Sequence, residues 1–207
     1  MRTYTKETQD KLSPELALEI LKEGNERFMN NIKAHRNLLT QINETATGQF
    51  PFAAILSCID SRTSAELIFD QGLGDIFSIR IAGNILNDDI LGSMEFACKV
   101  AGSKLIVVLG HTNCSAIASA CNNFSLGHFT NLIEKIKPAI EQETITLENR
   151  NDSNIPFVDN VTGNNVHITV DKIRQQSEIL LDMEKKDQIM IVGALYNVET
   201  GQVTFYE

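Results

Sequence analysis

Residues 52–62 read Phe-Ala-Ala-Ile-Leu-Ser-Cys-Ile-Asp-Ser-Arg, and this stretch decides the fold. Its first half is a short, unbroken apolar run, the pattern of a strand buried on both faces of a parallel sheet. From Cys58 it turns polar, so side chains able to do chemistry follow directly on a buried strand. In open α/β sheets the carboxyl ends of the strands are where ligands bind. A second segment repeats the arrangement. Leu105-Ile-Val-Val-Leu109 is another strand-like run, and Gly110-His-Thr-Asn-Cys114 follows it.

Working outward, Ile76–Ile81 reads as a strand, and Asp88–Ala101 as a helix capped by Asn87 and stopped by Gly102. Helices are expected from Cys114 to Cys121, over Leu126–Glu141 and over Val166–Lys185. Ile189–Val192 reads as a strand, Tyr196–Gly201 as a turn, and Val203–Tyr206 as a closing hairpin strand. On the N-terminal side, Ser13-Pro14-Glu15 is a helix start, and an apolar stripe at Leu16, Ile20, Leu21 and Phe28 carries a helix to about Met29. Residues 30–49 and 142–165 are polar and read as linker and loop. Strands alternating with helices predict an α/β fold, a mostly parallel β-sheet flanked by helices. The chain divides into an N-terminal helical arm (1–32) and an α/β core (50–207) within one domain.

The 207 residues are 43% hydrophobic and carry a net charge of −9, enough apolar content for a sizeable core and a poor match to nucleic acid or an anionic membrane. The N-terminus lacks the apolar centre of a signal peptide, and the apolar runs are far shorter than the ~20 residues a membrane span needs. Cytoplasm is therefore the expected location. Four cysteines are too few for a disulfide framework and read as thiols or metal ligands.

Cys58, His111 and Cys114 form a Cys₂His set, and soft thiolates with an imidazole select zinc over magnesium or calcium. Three protein ligands leave one position open, the arrangement of catalytic zinc, which lowers the pKa of a bound water to about 7. Cys121 is predicted about 10 Å further along a helix at 1.5 Å per residue. Cys98 sits among Phe96, Ala97 and Val100 as a small buried hydrophobe. In an extended segment Cys58, Asp60 and Arg62 point the same way. Arg62 would then hold the Asp60 carboxylate ionised, and Asp60 would either accept a hydrogen bond from the zinc-bound water or take the open position itself. The alternative is an ordinary loop salt bridge.

The combination Cys58-x-Asp60-x-Arg62 and His111-x-x-Cys114 resembles the β-class carbonic anhydrases. Ala65–Phe77, Arg80-Ile-Ala-Gly-Asn84, Gly92–Phe96, Ile106–His111 and Ile191–Gly201 are similar to that family too, so the resemblance covers roughly residues 13–206. It implies a zinc enzyme that interconverts CO₂ and bicarbonate through zinc-bound hydroxide, assembled as a homodimer or higher homo-oligomer with active sites near subunit interfaces. Carried over by position, Cys58, His111 and Cys114 bind zinc, Asp60 and Arg62 orient the hydroxide and gate the fourth position, and Gln49 hydrogen-bonds substrate. Phe77 corresponds to an apolar wall of the CO₂ pocket, Phe96 contacts substrate where plant-type members often carry Tyr, Ser115 borders the substrate, and the arm wraps the partner subunit. The chain departs from the pattern at Thr63-Ser64, where Val-Pro is common, and at Ser115, where Gly is usual. Two other readings share the motifs: a carbonyl sulfide or carbon disulfide hydrolase, and a zinc-binding homologue with little turnover. His35, His128 and His167 are proton-shuttle candidates on chemistry alone.

Overall fold

A computed structural model describes residues 3–206; Met1, Arg2 and Glu207, the outer ends of the arm and core as read from sequence, lie outside the described residues. Five strands form one sheet in the order β2-β1-β3-β4-β5: β1 (Ala53–Ser57), β2 (Ile76–Arg80), β3 (Leu105–His111), β4 (Met190–Tyr196) and β5 (Val203–Tyr206). The first four strands are parallel, and β5 closes antiparallel on β4. Central β1 and β3 are buried along their whole length, as their unbroken apolar runs require.

Alternate side chains of these strands face two helical layers. Ala54, Leu56, Ile106 and Val108 pack with Leu91 and Met94 of α5 (Asp88–Glu95) and with Val166, Val170 and Ile173 of α9 (Ile155–Gln176). Ala53, Ile55, Leu105 and Val107 pack with Ala17 and Leu21 of α2 (Pro14–Met29) and with Ile68 of α4 (Ala65–Ile68). Close approach of α9 depends on two glycines. A Cβ at Gly110 or at Gly193 would stand 2.7 Å from a methyl of Val166, well inside van der Waals contact.

Several elements differ from the sequence reading, each for a local reason. The 30–49 linker contains α3 (Leu38–Thr45), capped by Asn37, whose side chain accepts from the Thr40 N–H. The 142–165 loop ends early because Asn154 caps α9 and Pro156 enters its first turn. What reads as one helix to Lys185 is α9 and α10 (Glu178–Lys185), divided at Ser177, which caps α10 and also donates to Glu95. The helix expected over 126–141 is α7 (Gly127–Ile133), a 3₁₀ turn at Glu134–Ile136 and α8 (Lys137–Gln142), with Pro138 in the first turn of α8. Two short helices were not expected: α1 (Lys6–Asp10), closed by a Thr5–Thr8 capping box, and α4. In the other direction, Asp88–Ala101 forms as read, its last turn widened into a π turn over Phe96–Val100.

The arm helix α2 lies on its own sheet. Asn25 is buried and donates to the carbonyls of Ile68 and Gly201, while its oxygen accepts from Val203 N–H. No helix among the described residues is long and apolar enough to cross a membrane.

Candidate metal centre

The carboxyl ends of neighbouring β1 and β3 deliver Cys58 and His111, and the turn after β3 delivers Cys114 just before α6 (Ser115–Cys121). The three ligand atoms lie within 4.8 Å of one another, the one such group of three or more His, Cys, Asp or Glu among the described residues. All three side chains are buried above an apolar floor that includes Ile117, Ile136, Phe157 and Val161. The sulfurs of Cys58 and Cys114 are 4.0 Å apart, close to the ~3.8 Å that two sulfurs span on a tetrahedral zinc with Zn–S bonds of about 2.3 Å.

His111 Nδ1 lies 2.9 Å from the Thr112 carbonyl oxygen. A carbonyl only accepts, so Nδ1 carries the proton and Nε2 keeps a free lone pair. That Nε2 is buried with no hydrogen-bond partner, a costly state unless a cation takes it. The thiols tell the same story. The hydrogen bond between the cysteines holds the Cys58 thiol well below its ordinary value, and the same contact together with burial pushes Cys114 up. The pair thus retains one proton until a cation displaces it. Gly83 N–H donates to Cys58 Sγ at 3.3 Å, and the N–H groups of Ala116 and Ile117 face Cys114. Each favours thiolate.

Asp60 and Arg62 form a two-pronged pair. Arg62 Nε donates to Oδ1 at 2.9 Å, Nη2 donates to Oδ2 at 2.8 Å, and the Arg62 N–H donates to Oδ1 at 2.9 Å. These bonds lower the Asp60 pKa to about 2 against the opposing effect of burial. Asp60 stands beside the Cys₂His group and is not within it. The phenol of Tyr196, raised by burial, feels the charges of both Arg62 and Asp60.

Of the other expected site residues, Ser115 adjoins Cys114 and the rest lie away from the cluster. Gln49 is exposed before the amino end of β1, and the five residues of β1 alone put ~16 Å between it and Cys58 at 3.3 Å each. Phe77 and Phe96 meet edge to face, 6.3 Å between centroids, in a cleft of about 840 Å³ along β2. Phe77 pairs in register with Ala54, three positions below Ser57 and Arg80, or about 10 Å from the end of the sheet that carries the Cys₂His group. Ser115 is the exposed first residue of α6. Of the histidines, His167 stacks on Tyr206 of β5, 4.5 Å between centroids. His128 is exposed on α7, and His35 borders a cleft at α3.

Sequence reasoning missed Arg80, which donates from β2 to the carbonyls of Cys58 and Asp60, and Asp159, which accepts from Asn113 N–H. A charged residue closing a strand was a usable signal for Arg80. Asp159 had none, because the start of α9 reads as loop.

The family description "carbonic anhydrase" matches residues 53–203. The chain belongs to the β-class carbonic anhydrases. Carbonic anhydrase 2 of Mycobacterium tuberculosis is 36% identical over 196 residues, 92% of this chain and 91% of that protein. The carbonic anhydrase of Mycolicibacterium smegmatis is 31% identical, with 92% of each chain covered. Among solved structures, the β-carbonic anhydrase CafA of Aspergillus fumigatus superposes with a TM-score of 0.74 at 23% identity, covering 93% of this chain and 90% of that one. A tetrameric β-carbonic anhydrase of Sordaria macrospora gives 0.68 at 22%, covering 77% and 82%. These two likenesses speak for the fold.

Proposed function

We propose that this β-class carbonic anhydrase is a zinc-dependent carbonate dehydratase that interconverts CO₂ with bicarbonate and a proton. The observation that carries the reading is the convergence of Cys58, Cys114 and the unpartnered Nε2 of His111 beside an Asp60 carboxylate fixed by Arg62. Zinc held by these three residues supplies a Lewis acid and a source of hydroxide at neutral pH. Asp60, kept anionic down to about pH 2, can only accept a hydrogen bond at neutral pH, so it orients the O–H of the nucleophile and fixes which lone pair faces CO₂. Arg62 holds that carboxylate by its second oxygen as well, which prevents the carboxylate from turning. The apolar floor around the cysteines excludes bulk water and suits an uncharged substrate.

Gln49, Phe77 and Phe96 complete the site from a second copy of the chain. Within one chain they stand away from the metal end, whereas β2 is an edge strand with unpaired backbone groups along its outer side. Phe96, 53% exposed, borders that edge against Phe77. A homo-oligomer built across β2 covers this surface. The four free thiols suit a reducing compartment such as the cytoplasm. Stopped-flow CO₂ hydration on protein of known zinc content tests the activity, with sulfide release from carbonyl sulfide measured alongside. One zinc per chain without CO₂ hydration from acidic to alkaline pH would overturn it.

A further inference from the structure

The loop between β1 and α4 carries a proposed ligand and the dyad, and it is held by more than the dyad itself. Thr63 is buried, and its Oγ1 lies 2.9 Å from the carbonyl oxygens of both Cys58 and Asp60. Its single proton serves one of them at a time. From β2, Arg80 donates to the same two carbonyls, Nε to Cys58 O at 3.0 Å and Nη2 to Asp60 O at 2.6 Å. Thr63 N–H adds a further bond to Asp60 O at 3.0 Å. The carbonyls of Cys58 and Asp60, the residues before and after Ile59, are thereby linked through Thr63 and tied to β2 through Arg80. A carboxylate leaving Arg62 for the Cys₂His group gives up its bonds from Arg62, and any accompanying turn of the backbone around Asp60 is opposed by these donors.

We infer that Thr63 is a positioning residue: together with Arg80 it braces residues 58–63 so that Asp60 stays paired with Arg62 and does not become the fourth ligand of the metal. This rests on the reading of Cys58, His111 and Cys114 as the metal centre. Thr63→Val keeps the shape and deletes the hydroxyl, and Thr63→Ser keeps the hydroxyl. With the full chain loaded with cobalt(II), thiocyanate binding is followed through the metal's visible absorption. At a pH where the open and Asp60-bound forms are both populated, T63V binds thiocyanate about two- to fivefold more weakly than the unaltered chain, the upper figure being the full effect of one ordinary hydrogen bond. T63S binds it as the unaltered chain does. Adding D60N to T63V restores the affinity, because the competing carboxylate is gone. Equal affinity in T63V and the unaltered chain overturns the brace, and so does failure of D60N to restore binding. If the unaltered chain takes up no cobalt, the metal-centre reading fails on its own. The brace is then decided in the metal-free chain by hydrogen exchange of residues 58–63: faster in T63V than in T63S supports it, and equal exchange overturns it.

Discussion

Arg62 Nη2 donates to the carbonyl oxygen of Asn113 at 3.2 Å while the same guanidinium grips Asp60. Two residues 51 positions apart, one in each motif, are thus tied by one side chain. Asn113 offers that carbonyl from a left-handed conformation (φ 53°), and its N–H is held by Asp159 at 3.3 Å. The dyad is therefore oriented against the turn that carries Cys114, and each motif depends on the other for its geometry.

Asp60→Asn keeps the shape of the dyad and removes its charge. CO₂ hydration is expected to fall by about tenfold or more with metal content unchanged, since what is lost is orientation of the nucleophile. Stopped-flow rates beside metal analysis check this, and full activity in D60N rules out the role.

The pH dependence of the pair follows from the sign of its shift. The folded Asp60 pKa, about 2, lies below the unfolded value of about 3.9. The pair therefore stabilises the folded chain in full above about pH 4 and loses that contribution as pH falls toward 2. Arg62→Ala removes the main cause, so the Asp60 midpoint rises toward the ordinary carboxylate range. Carbon-13 NMR titration of the side-chain carboxyl reads this directly, and an unmoved midpoint contradicts it.

Metal removal should sort the cysteines. With zinc bound, Cys58 and Cys114 resist alkylation. After chelation Cys58 reacts first, because its thiol is held low by Cys114. Cys98, pushed up to about 12 by burial, and Cys121, to about 11, stay unreactive in both states of the folded protein. Peptide mapping after timed alkylation gives the order, and prior labelling of Cys98 or Cys121 goes against it.

If Gln49 and Phe77 serve a partner's metal centre, activity can be shared between two disabled chains. Chains carrying Cys58→Ala, or Gln49→Ala with Phe77→Ala, are each expected to be nearly inactive alone. Mixed dimers regain one working site of two. Recovery to about half the unaltered activity per mixed dimer is expected, and no recovery in a purified mixed dimer contradicts the shared site.

Asn25→Leu removes three hydrogen bonds, two of them buried, that pin the arm helix to Ile68, Gly201 and Val203. Leaving those backbone groups unpaired costs about 2–4 kcal/mol, measured as a lower urea midpoint with an unchanged slope. A change under ~0.5 kcal/mol, the range of neutral surface substitutions, shows that the arm is not anchored there.

The sequence by itself determined the elements with strong local patterns. The apolar runs Phe52–Leu56 and Leu105–Leu109 read as buried parallel strands, and Ser13-Pro14 as a helix start, and each formed as read. It also pointed to the Cys58, His111 and Cys114 cluster, because these residues follow those strands directly and neighbouring strand ends meet. Boundaries set by single side chains were not legible. Ser177 interrupts a periodic run, and Asn37 and Asn154 start helices inside polar stretches, because a cap is one hydrogen bond and leaves no period behind. The expected Asp60–Arg62 pair is present, but only the tertiary structure decided its choice over a place in the Cys₂His group, the hydrogen bonds from Arg80 and Thr63 to the Cys58 and Asp60 carbonyls, and the distance of Gln49 and Phe77 from that group. Those facts depend on which strands lie side by side and on directions in space, whereas spacing along a chain specifies only how far apart two residues can be.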